Sequence, residues 1–398
     1  MLIGIVGKPS TGKSTFFKAA TLAEVETAPY PFTTIKANEA VGYVRTKCAE
    51  ISFGTKCNPR EGFCIKGNRF VPVKLLDVAG LVPGAHKGLG LGNKFLDDLR
   101  QARCLVHVID ASGSTNEKGD PVAPGSYDPL NDVKFLEEEI DMWFFNILNK
   151  NWNKFLNQSK LTGKQIDKAI AEQFSGLGVD LNIIKKTLQK LNLKHEQANQ
   201  WSSEDLKAFT TEMRKLSKPM IIAANKMDLI PSKENIKRLK ETFPDYKIIP
   251  CSAESEVALR EAAKKNLIEY IPGDSDFKIL QPDKLSPDQS KALNFIKKLL
   301  SEWGNTGVQQ CLNTVVYDFL KYITVFPGGV NNLKDSQGRV LPDSFLLPPN
   351  STALDFAYRL HSDFGDNFIR AIDVKTKKTI GKEHILQEGD VIEIVAKT

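Results

Sequence analysis

The sequence has neither a long apolar run nor the cysteine density of a disulfide-rich protein. Six cysteines occur in 398 residues, and a chain of this size can build a hydrophobic core without cross-links. No stretch approaches the run of about 18 apolar residues that a membrane span needs. The first ten residues also lack the basic start, apolar run and cleavage site of an export signal. We therefore expect a cytoplasmic protein with reduced thiols and no membrane partner.

Length and composition indicate a globular protein with more than one domain. The chain exceeds what one hydrophobic core usually serves, and 41% of its residues are hydrophobic and 26% charged. The net charge is +6, and residues 1–127 hold 16 Lys and Arg against 11 Asp and Glu. A basic surplus suits a polyanionic partner, and it suits an ordinary solvated surface equally well. Charge alone leaves both interpretations open.

Five short apolar runs in the first and middle parts of the chain predict a parallel β-sheet. Each run is followed by turn or helix-capping residues, which is typical of strands buried on both faces. Helical patterns separate the runs, so we expect a doubly wound α/β fold. The runs are LIGIVG at 2–7, FVPVKLLDV at 70–78, CLVHVID at 104–110, PMIIAANK at 219–226 and YKIIPCSA at 246–253.

The interval between the third and fourth runs is too long for one crossover helix. Apolar residues recur there at three- and four-residue spacings, which predicts an inserted helical subdomain, with Ser202 and Asp205 capping one helix.

Helices are also predicted at 286–303 and 308–321. The last segment, with four strand-like runs and one helix, predicts a small α+β module. The predicted boundaries are 1–127 for the first part of the α/β domain, 128–215 for the helical subdomain, 216–319 for the second part with its linking helices, and 320–398 for the terminal module.

The segment GKPSTGKST at 7–15 follows the first strand and precedes a helix, which is the context of a phosphate-binding P-loop. Gly7 and Gly12 let the backbone curl so that its N–H groups face phosphate oxygens, and the helix adds its positive N-terminal end. Lys13 is predicted to reach the β- and γ-phosphates, and Ser14 to bind Mg²⁺. The candidate nucleotide-binding residues of this loop are Gly7, Lys8, Pro9, Ser10, Thr11, Gly12, Lys13, Ser14 and Thr15.

A second motif, DVAG at 77–80, ends another apolar strand. Its Asp77 is predicted to hold the Mg²⁺ hydration shell, and the Gly80 N–H to meet the γ-phosphate. Upstream, YPFTT offers Thr34, with Thr33 as the alternative, as a hydroxyl that closes over Mg²⁺ when the γ-phosphate is present. The predicted catalytic groups are Lys13, Thr34 and Gly80, and the predicted metal ligands are Ser14, Thr34 and Asp77.

The tetrapeptide NKMD, after the fourth apolar run, predicts a preference for guanine. The Asp228 carboxylate can accept hydrogen bonds from guanine N1 and N2, whereas adenine would leave it unpaired. Asn225 can meet the edge of the base, and the stem of Lys226 can lie over the ring. The backbone of CSA, at the end of the fifth run, can present N–H groups to guanine O6. The candidate base-binding residues are Asn225, Lys226, Asp228, Cys251, Ser252 and Ala253.

A glutamine that could position the attacking water is missing from its place after DVAG, where Leu81 stands. His86 offers a water-positioning group in the same loop, and a solvent-facing loop histidine is the alternative interpretation. The loop is rich in glycine, which suits a segment that changes conformation. We therefore expect slow basal hydrolysis and the role of a switch.

YPFTT, DVAGLVPGAHKGLGLGNKFL and NKMD resemble the Obg-like GTPases, specifically the YchF-related branch, and RAIDVKTKKTIGKEHILQEGDVIEIV resembles a TGS domain. The resemblance implies a P-loop GTPase fold with a C-terminal β-grasp domain. Some members have a broken NKMD motif and prefer ATP; this chain keeps the motif, which implies the GTP-using, archaeal-type form. An apolar residue at the position of Leu81 is shared with this family. Potassium-activated relatives have Asn where this chain has Ser10, a weaker cation ligand, so the resemblance leaves potassium activation open.

Three further features favour structural roles on sequence grounds. Cys48, Cys57 and Cys64 are widely spaced, and without an evident fourth ligand they are interpreted as free thiols, with metal binding as the alternative. An aromatic set is interpreted as helical core rather than a base-stacking platform; its members are Trp143, Phe144, Phe145 and Trp152. A basic set in the terminal module is either a solvated face or a contact for RNA phosphates; it comprises Arg370, Lys375, Lys377, Lys378 and Lys382.

Together these observations favour a monomeric, Mg²⁺-dependent GTPase switch that binds GTP and GDP. The resemblance implies that it acts on the ribosome or ribosomal RNA through the TGS and helical parts. The alternatives are an ATP-preferring YchF-type hydrolase with a regulatory role, and an RNA-binding module whose RNA affinity does not depend on nucleotide.

Overall fold

The computed structural model describes residues 1–21, 38–78, 92–162 and 165–397. The strands in these ranges are β1 (Leu2–Val6), β2 (Glu39–Lys47), β3 (Phe63–Ile65), β4 (Asn68–Asp77), β5 (Cys104–Asp110), β6 (Met220–Asn225), β7 (Ile248–Pro250), β8 (Ile268–Glu269), β9 (Lys278–Ile279), β10 (Ile323–Pro327), β11 (Phe345–Leu347), β12 (Phe368–Asp373), β13 (Lys378–Ile380) and β14 (Val391–Ala396). The helices are α1 (Lys13–Thr21), α2 (Glu50–Phe53), α3 (Gly92–Gln101), α4 (Leu130–Thr162), α5 (Ile166–Phe174), α6 (Leu181–Lys190), α7 (Ser203–Ser217), α8 (Ser232–Thr242), α9 (Ala253–Lys264), α10 (Pro287–Trp303), α11 (Val308–Asn313), α12 (Ala353–Leu360) and α13 (Ser362–Asp366).

The chain divides into two compact units. The first comprises Met1–Ala19, Lys74–Ala258 and Lys298–Val308, and the second comprises Ala20–Val73, Leu259–Lys297 and Gln309–Thr398. This division groups the chain differently from the four segments proposed from the sequence, whose boundaries stay a prediction.

The central sheet has the strand order β2-β4-β1-β5-β6-β7, with β3 paired to β4. In the first unit β1 runs parallel to β4 and β5, and β5, β6 and β7 continue the parallel arrangement. Every residue of β5 and β6 is buried, because helices cover both faces of such a sheet. The predicted doubly wound α/β fold is confirmed.

Helices α4 to α7 occupy the long interval between β5 and β6. Trp143, Phe144, Phe145 and Trp152 on α4 are each at most 9% exposed and join a core to which α5, α6 and α7 also contribute. Their interpretation as core residues is confirmed. The capping box at the start of α7 is also present, since the Ser202 hydroxyl accepts from the Asp205 N–H and the Asp205 carboxylate accepts from the Ser202 N–H.

The C-terminal part of the second unit is a five-stranded sheet of order β11-β10-β14-β12-β13, with α12 between β11 and β12. Its core includes Val325, Phe356, Ala371 and Ile392. The predicted helix at 308–321 begins as α11 and continues as a π-helix at Thr314–Phe319, a change of winding that side-chain periodicity does not reveal. Among the described residues, no helix is both long and apolar enough to cross a membrane.

Candidate nucleotide-binding site

The strand register of the first unit brings the predicted motifs to one edge of the sheet. Ile5 on β1 lies opposite Asp77 on β4, Val6 lies opposite His107 on β5, and Asp110 at the end of β5 lies opposite Asn225 at the end of β6. Because these strands are parallel, their carboxyl ends share one edge, which is where open α/β sheets bind ligands.

The P-loop has the backbone shape that phosphate binding needs. Ser10 and Gly12 have φ angles of 63° and 86°, so the chain curls between β1 and α1. A Cβ atom at Gly7 would lie 2.4 Å from the carbonyl oxygen of Val108, and one at Gly12 would lie 2.2 Å from Nδ2 of Asn225. Only glycine fits at these two positions without displacing a neighbour. The first N–H groups of α1 extend the loop, and this arrangement fits a chain of phosphates.

Two side chains of the loop face the protein interior. Lys8 is 4% exposed; its Nζ donates to Oδ1 of Asp132 at 2.8 Å and lies 3.9 Å from the ring centroid of Tyr127. The Thr11 hydroxyl donates to the Lys8 carbonyl. Lys8 and Thr11 therefore offer a ligand their backbone only. Sequence reasoning missed Asp132 and Tyr127, because each lies more than a hundred residues from the loop.

Lys13 of the P-loop and Asp77 of the DVAG motif are in direct contact. The Lys13 ammonium pairs with the Asp77 carboxylate and also donates to the Val78 carbonyl at 2.7 Å. The Ser14 side chain is exposed at the start of α1. A hydroxyl and a carboxylate are the oxygen ligands that Mg²⁺ prefers, so these residues fit the predicted metal. Thr33, Thr34, Gly80, Leu81 and His86 lie outside the described residues.

Asn225 holds three motifs together. Its Nδ2 donates to the Thr11 carbonyl at 2.9 Å, and its Oδ1 accepts from the Ala253 N–H at 3.0 Å. The side chain is 3% exposed. The prediction placed Asn225 at the edge of the base, but both ends of its amide contact the protein backbone, so in this structure it positions the loop and the CSA segment.

Lys226 is anchored by an aspartate that sequence reasoning missed. Its Nζ donates to Oδ2 of Asp110 at 2.9 Å and to the Ser114 hydroxyl at 3.2 Å. Burial raises the pKa of Asp110, but hydrogen bonds from Ser112, Lys226 and Ser114 outweigh it, so the net pKa is lowered and the carboxylate stays ionised. This pairing fixes the stem of Lys226, which the sequence predicts to lie over the ring of the base.

Asp228 is half-buried, and its carboxylate has no hydrogen-bond or ion-pair partner within the part of the chain that the structure describes. The preceding amide, of Met227, donates to the Cys251 carbonyl at 2.9 Å. The NKMD loop is thereby fixed to the end of β7 while the Asp228 oxygens stay available to accept hydrogen bonds.

The CSA segment uses all three of its N–H groups within the protein. Cys251 donates to the Ala224 carbonyl, Ser252 donates to the Thr306 carbonyl, and Ala253 donates to Asn225. A guanine O6 contact by one of these groups, as the sequence predicts, would share or replace an existing bond. The Ala253 bond is made to a side chain and is the one of the three that a rotamer change can release.

Comparison with known proteins agrees with this geometry. Residues 2–150 match the model of the 50S ribosome-binding GTPases, residues 223–330 the G4 motif-containing domain of YGR210-like Obg-like GTPases, and residues 334–396 the TGS domain. A GTP-binding protein of Methanocaldococcus jannaschii is 46% identical over 99% of both chains, and one of Schizosaccharomyces pombe is 38% identical over 89% of this chain and 88% of its own. The crystal structure of a GTP-binding protein from Pyrococcus horikoshii, 41% identical, covers 100% of both chains with a TM-score of 0.77.

The chain belongs to the YchF-related, Obg-like GTP-binding proteins. The predicted family, P-loop GTPase fold and TGS domain are confirmed. More distant relatives are named for a different nucleotide: a protein of Bacillus subtilis, 28% identical over 98% of this chain and 97% of its own, is a ribosome-binding ATPase, YchF.

Proposed function

We propose that this GTPase is a Mg²⁺-dependent switch that prefers guanine over adenine. The observation that carries the proposal is the half-buried Asp228 carboxylate, which is held beside β7 and has no partner among the described residues. Guanine offers such a group a pair of donors at N1 and N2, and adenine has no donor at either position, so adenine would leave a desolvated carboxylate unpaired. Two relatives, 46% and 38% identical, are named GTP-binding proteins, which supports the same choice.

We propose that Mg²⁺ is held by Ser14, Thr34 and the Asp77 shell, and that Lys13 and the Gly80 N–H stabilise charge on the γ-phosphate. Bound Mg²⁺ supplies positive charge that offsets the phosphate charge. Lys13 and Asp77 already lie in contact, so Mg²⁺–triphosphate exchanges one ion pair for two others: Lys13 with phosphate and Asp77 with the metal shell. Neither Lys13 nor Asp77 is left without an opposite charge by this exchange.

Basal hydrolysis is proposed to be slow, because the position after DVAG carries Leu81. An apolar side chain cannot orient the attacking water as a glutamine does. Slow hydrolysis gives a long-lived triphosphate state, which is what a switch needs for a partner to read it.

A competition titration tests the guanine preference. Unlabelled GTP and ATP displace a fluorescent GTP analogue from the protein in Mg²⁺ buffer, and we expect GTP to displace it at concentrations at least about tenfold lower. Asp228→Asn is expected to remove most of that difference, whereas Asp245→Asn, an exposed carboxylate elsewhere in the first unit, should keep it.

The names of the more distant relatives favour one alternative, an ATP-preferring hydrolase. Equal displacement by ATP and GTP in the wild-type protein would support that alternative and contradict the guanine assignment. Unchanged discrimination in Asp228→Asn would instead refute the assignment of the base to this carboxylate.

We propose the ribosome, or its RNA, as the partner of a monomeric, cytoplasmic protein. The Bacillus subtilis relative is named for ribosome binding, and the first family model describes 50S ribosome-binding GTPases. The TGS domain exposes basic residues on and beside β12 and β13, and the same module exposes the rings of Tyr358 and Phe364. Basic side chains suit phosphates and exposed rings suit unstacked bases. Sedimentation with ribosomes in different nucleotide states tests this proposal and separates it from an RNA-binding module that ignores nucleotide.

A further inference from the structure

Four side chains of types that can bind a metal lie close together in the second unit. None of them belongs to the nucleotide-binding motifs. Their sulfur and carboxylate oxygen atoms all lie within 4.8 Å of one another. We call this group the thiol cluster, and its members are Cys48, Glu50, Cys57 and Cys64.

Local backbone structure places each member. Cys48 directly follows β2, and its N–H donates to the Gly67 carbonyl at 2.8 Å. Glu50 begins the short helix α2, and Gly54, which caps its end, has the left-handed conformation, so the chain reverses. The loop then brings back Cys57, and Cys64 lies on β3, which pairs with β4. This reversal brings the three cysteines together in space, although their wide spacing in the sequence argued against a metal site.

The missing fourth ligand is a carboxylate. No fourth ligand is evident from the sequence, because zinc ligands usually come in closely spaced pairs such as C-x₂-C. Glu50 faces the thiols: its Oε2 accepts from the Cys57 N–H at 2.6 Å, and its Oε1 accepts from the Cys64 thiol at 3.2 Å. The carboxylate is therefore oriented toward the sulfur atoms by the same residues that would share a metal with it.

The sulfur spacing suits a tetrahedral metal. The Cys48 and Cys57 Sγ atoms are 3.6 Å apart. Two thiolates on one zinc ion, each about 2.3 Å from the metal, lie about 3.8 Å apart at a tetrahedral angle. A disulfide would need about 2.05 Å between the same atoms and would leave Cys64 and Glu50 without a role.

The surroundings are mostly apolar and supply positive charge. Cys48 and Cys57 are buried, and both join an apolar cluster with Phe326, Leu341 and other residues of the same unit. Arg69 is fully buried and lies opposite Cys64 in the β3–β4 ladder. Its Nη1 has no hydrogen-bond partner among the described residues. A buried guanidinium offsets the negative charge that three thiolates and a carboxylate keep around a divalent ion.

We propose that the thiol cluster binds one zinc ion as a structural site. Three thiol protons leave as the three sulfurs and the Glu50 carboxylate bind, and the four ligands fill a tetrahedral shell without an open position for a substrate. The site fixes the segment from 48 to 64, whose Asn58 and Arg60 N–H groups donate to the Val340 and Pro342 carbonyls. The metal would thereby hold this segment against the apolar cluster that Cys48 and Cys57 form with Phe326 and Leu341.

Metal content and cobalt spectroscopy test the proposal on the whole purified chain. Protein made with zinc in the medium is expected to retain about one zinc per chain after dialysis. Replacement by Co²⁺ is expected to give the intense visible bands of tetrahedral cobalt and a sulfur-to-cobalt charge-transfer band near the ultraviolet. Cys57→Ser and Glu50→Gln should each lose most of the zinc. Cys311→Ala, a buried cysteine of the same unit outside the cluster, should keep it.

The wild-type measurements decide the matter even if a cysteine variant fails to fold. A zinc content below about 0.2 per chain, together with cobalt spectra that lack the charge-transfer band, would overturn the site. A mass 2 Da below the reduced chain, mapped to a bond between Cys48 and Cys57, would overturn it in favour of a disulfide. Full zinc content in both Cys57→Ser and Glu50→Gln would place the metal elsewhere.

Discussion

Asn225 and Asp228 are three residues apart, and the structure gives them different tasks. The Asn225 amide bonds the P-loop to the CSA segment, whereas the Asp228 carboxylate keeps its oxygens available. The residue type at each position follows from this. An amide can donate and accept at once, which a bridge needs, and a carboxylate accepts only, which suits the two guanine donors of the proposed base contact.

Asn225→Ala should weaken GTP and ATP binding alike, since it removes the bridge and not the base contact. Loss of two buried hydrogen bonds is expected to lower the free energy of unfolding by about 2 kcal/mol. Asn235→Ala is the matched control, because this buried side chain also bonds through both ends of its amide. It should lose similar stability in urea titrations and keep its nucleotide affinity. Selective loss of GTP binding in Asn225→Ala would contradict the bridging role.

His107 should make the fold sensitive to acid. It is fully buried beside Lys8, and desolvation, aided by the positive charge of Lys8, lowers its pKa to about 3. In the unfolded chain the pKa is near 6.5, so between pH 6.5 and 3 the unfolded state binds the extra proton. Stability is unaffected above pH 6.5 and falls below it, by up to about 1.4 kcal/mol per pH unit from this group.

Replacing the ring removes that contribution. Urea unfolding of His107→Gln between pH 6.5 and 4.5 should show a smaller loss of stability per pH unit than wild type, while the exposed His384→Gln should follow wild type. Equal slopes for His107→Gln and wild type would show that this imidazole is not held neutral. Asp132, which pairs with Lys8, is present in wild type and in both variants.

The P-loop between β1 and α1 depends on glycine for two separable reasons. Gly12 has a positive φ and also lies where a Cβ would meet Asn225, whereas Gly304 has a similar φ of 82° with open space around it. Gly12→Ala should therefore reduce triphosphate affinity at least about tenfold and lower stability by about 2 kcal/mol or more. Gly304→Ala carries only the backbone cost of about 1 kcal/mol and should bind nucleotide normally. Similar nucleotide affinity in the two variants would contradict the proposed binding of phosphates by this loop.

The regular elements were accessible from sequence because their signals are local. The buried strands β1, β5 and β6 were predicted from continuous apolar runs, and the start of α7 from Ser202 and Asp205, since each depends on neighbouring residues. The partners Asp132 and Asp110 were not predicted. The proposed Glu50 ligand was not predicted because its sequence spacing does not match a standard metal motif. All three depend on distances that only the folded chain creates.

Exposed charge on the TGS domain should contribute to partner binding in the whole molecule. Lys377 lies in the turn before β13 and Lys378 is the first residue of that strand, and both are exposed. Reversing both, as Lys377→Glu with Lys378→Glu, should weaken ribosome binding and reduce the slope of log affinity against log salt by about 1–2. The matched control reverses Lys185 and Lys186, an exposed adjacent pair on α6. Loss of binding in the control alone would place the contact on the helical part.

The proposed switch requires that the nucleotide state changes what the protein binds. The most direct measurement is sedimentation with ribosomes from the source cell, with a GTP analogue, an ATP analogue, GDP or no nucleotide, across a salt series. We predict binding that is strongest with the GTP analogue, weak with GDP, and unresponsive to the GTP analogue in Lys13→Ala. Equal binding in all four states, or a response to the ATP analogue as large as to the GTP analogue, would contradict the guanine-nucleotide switch.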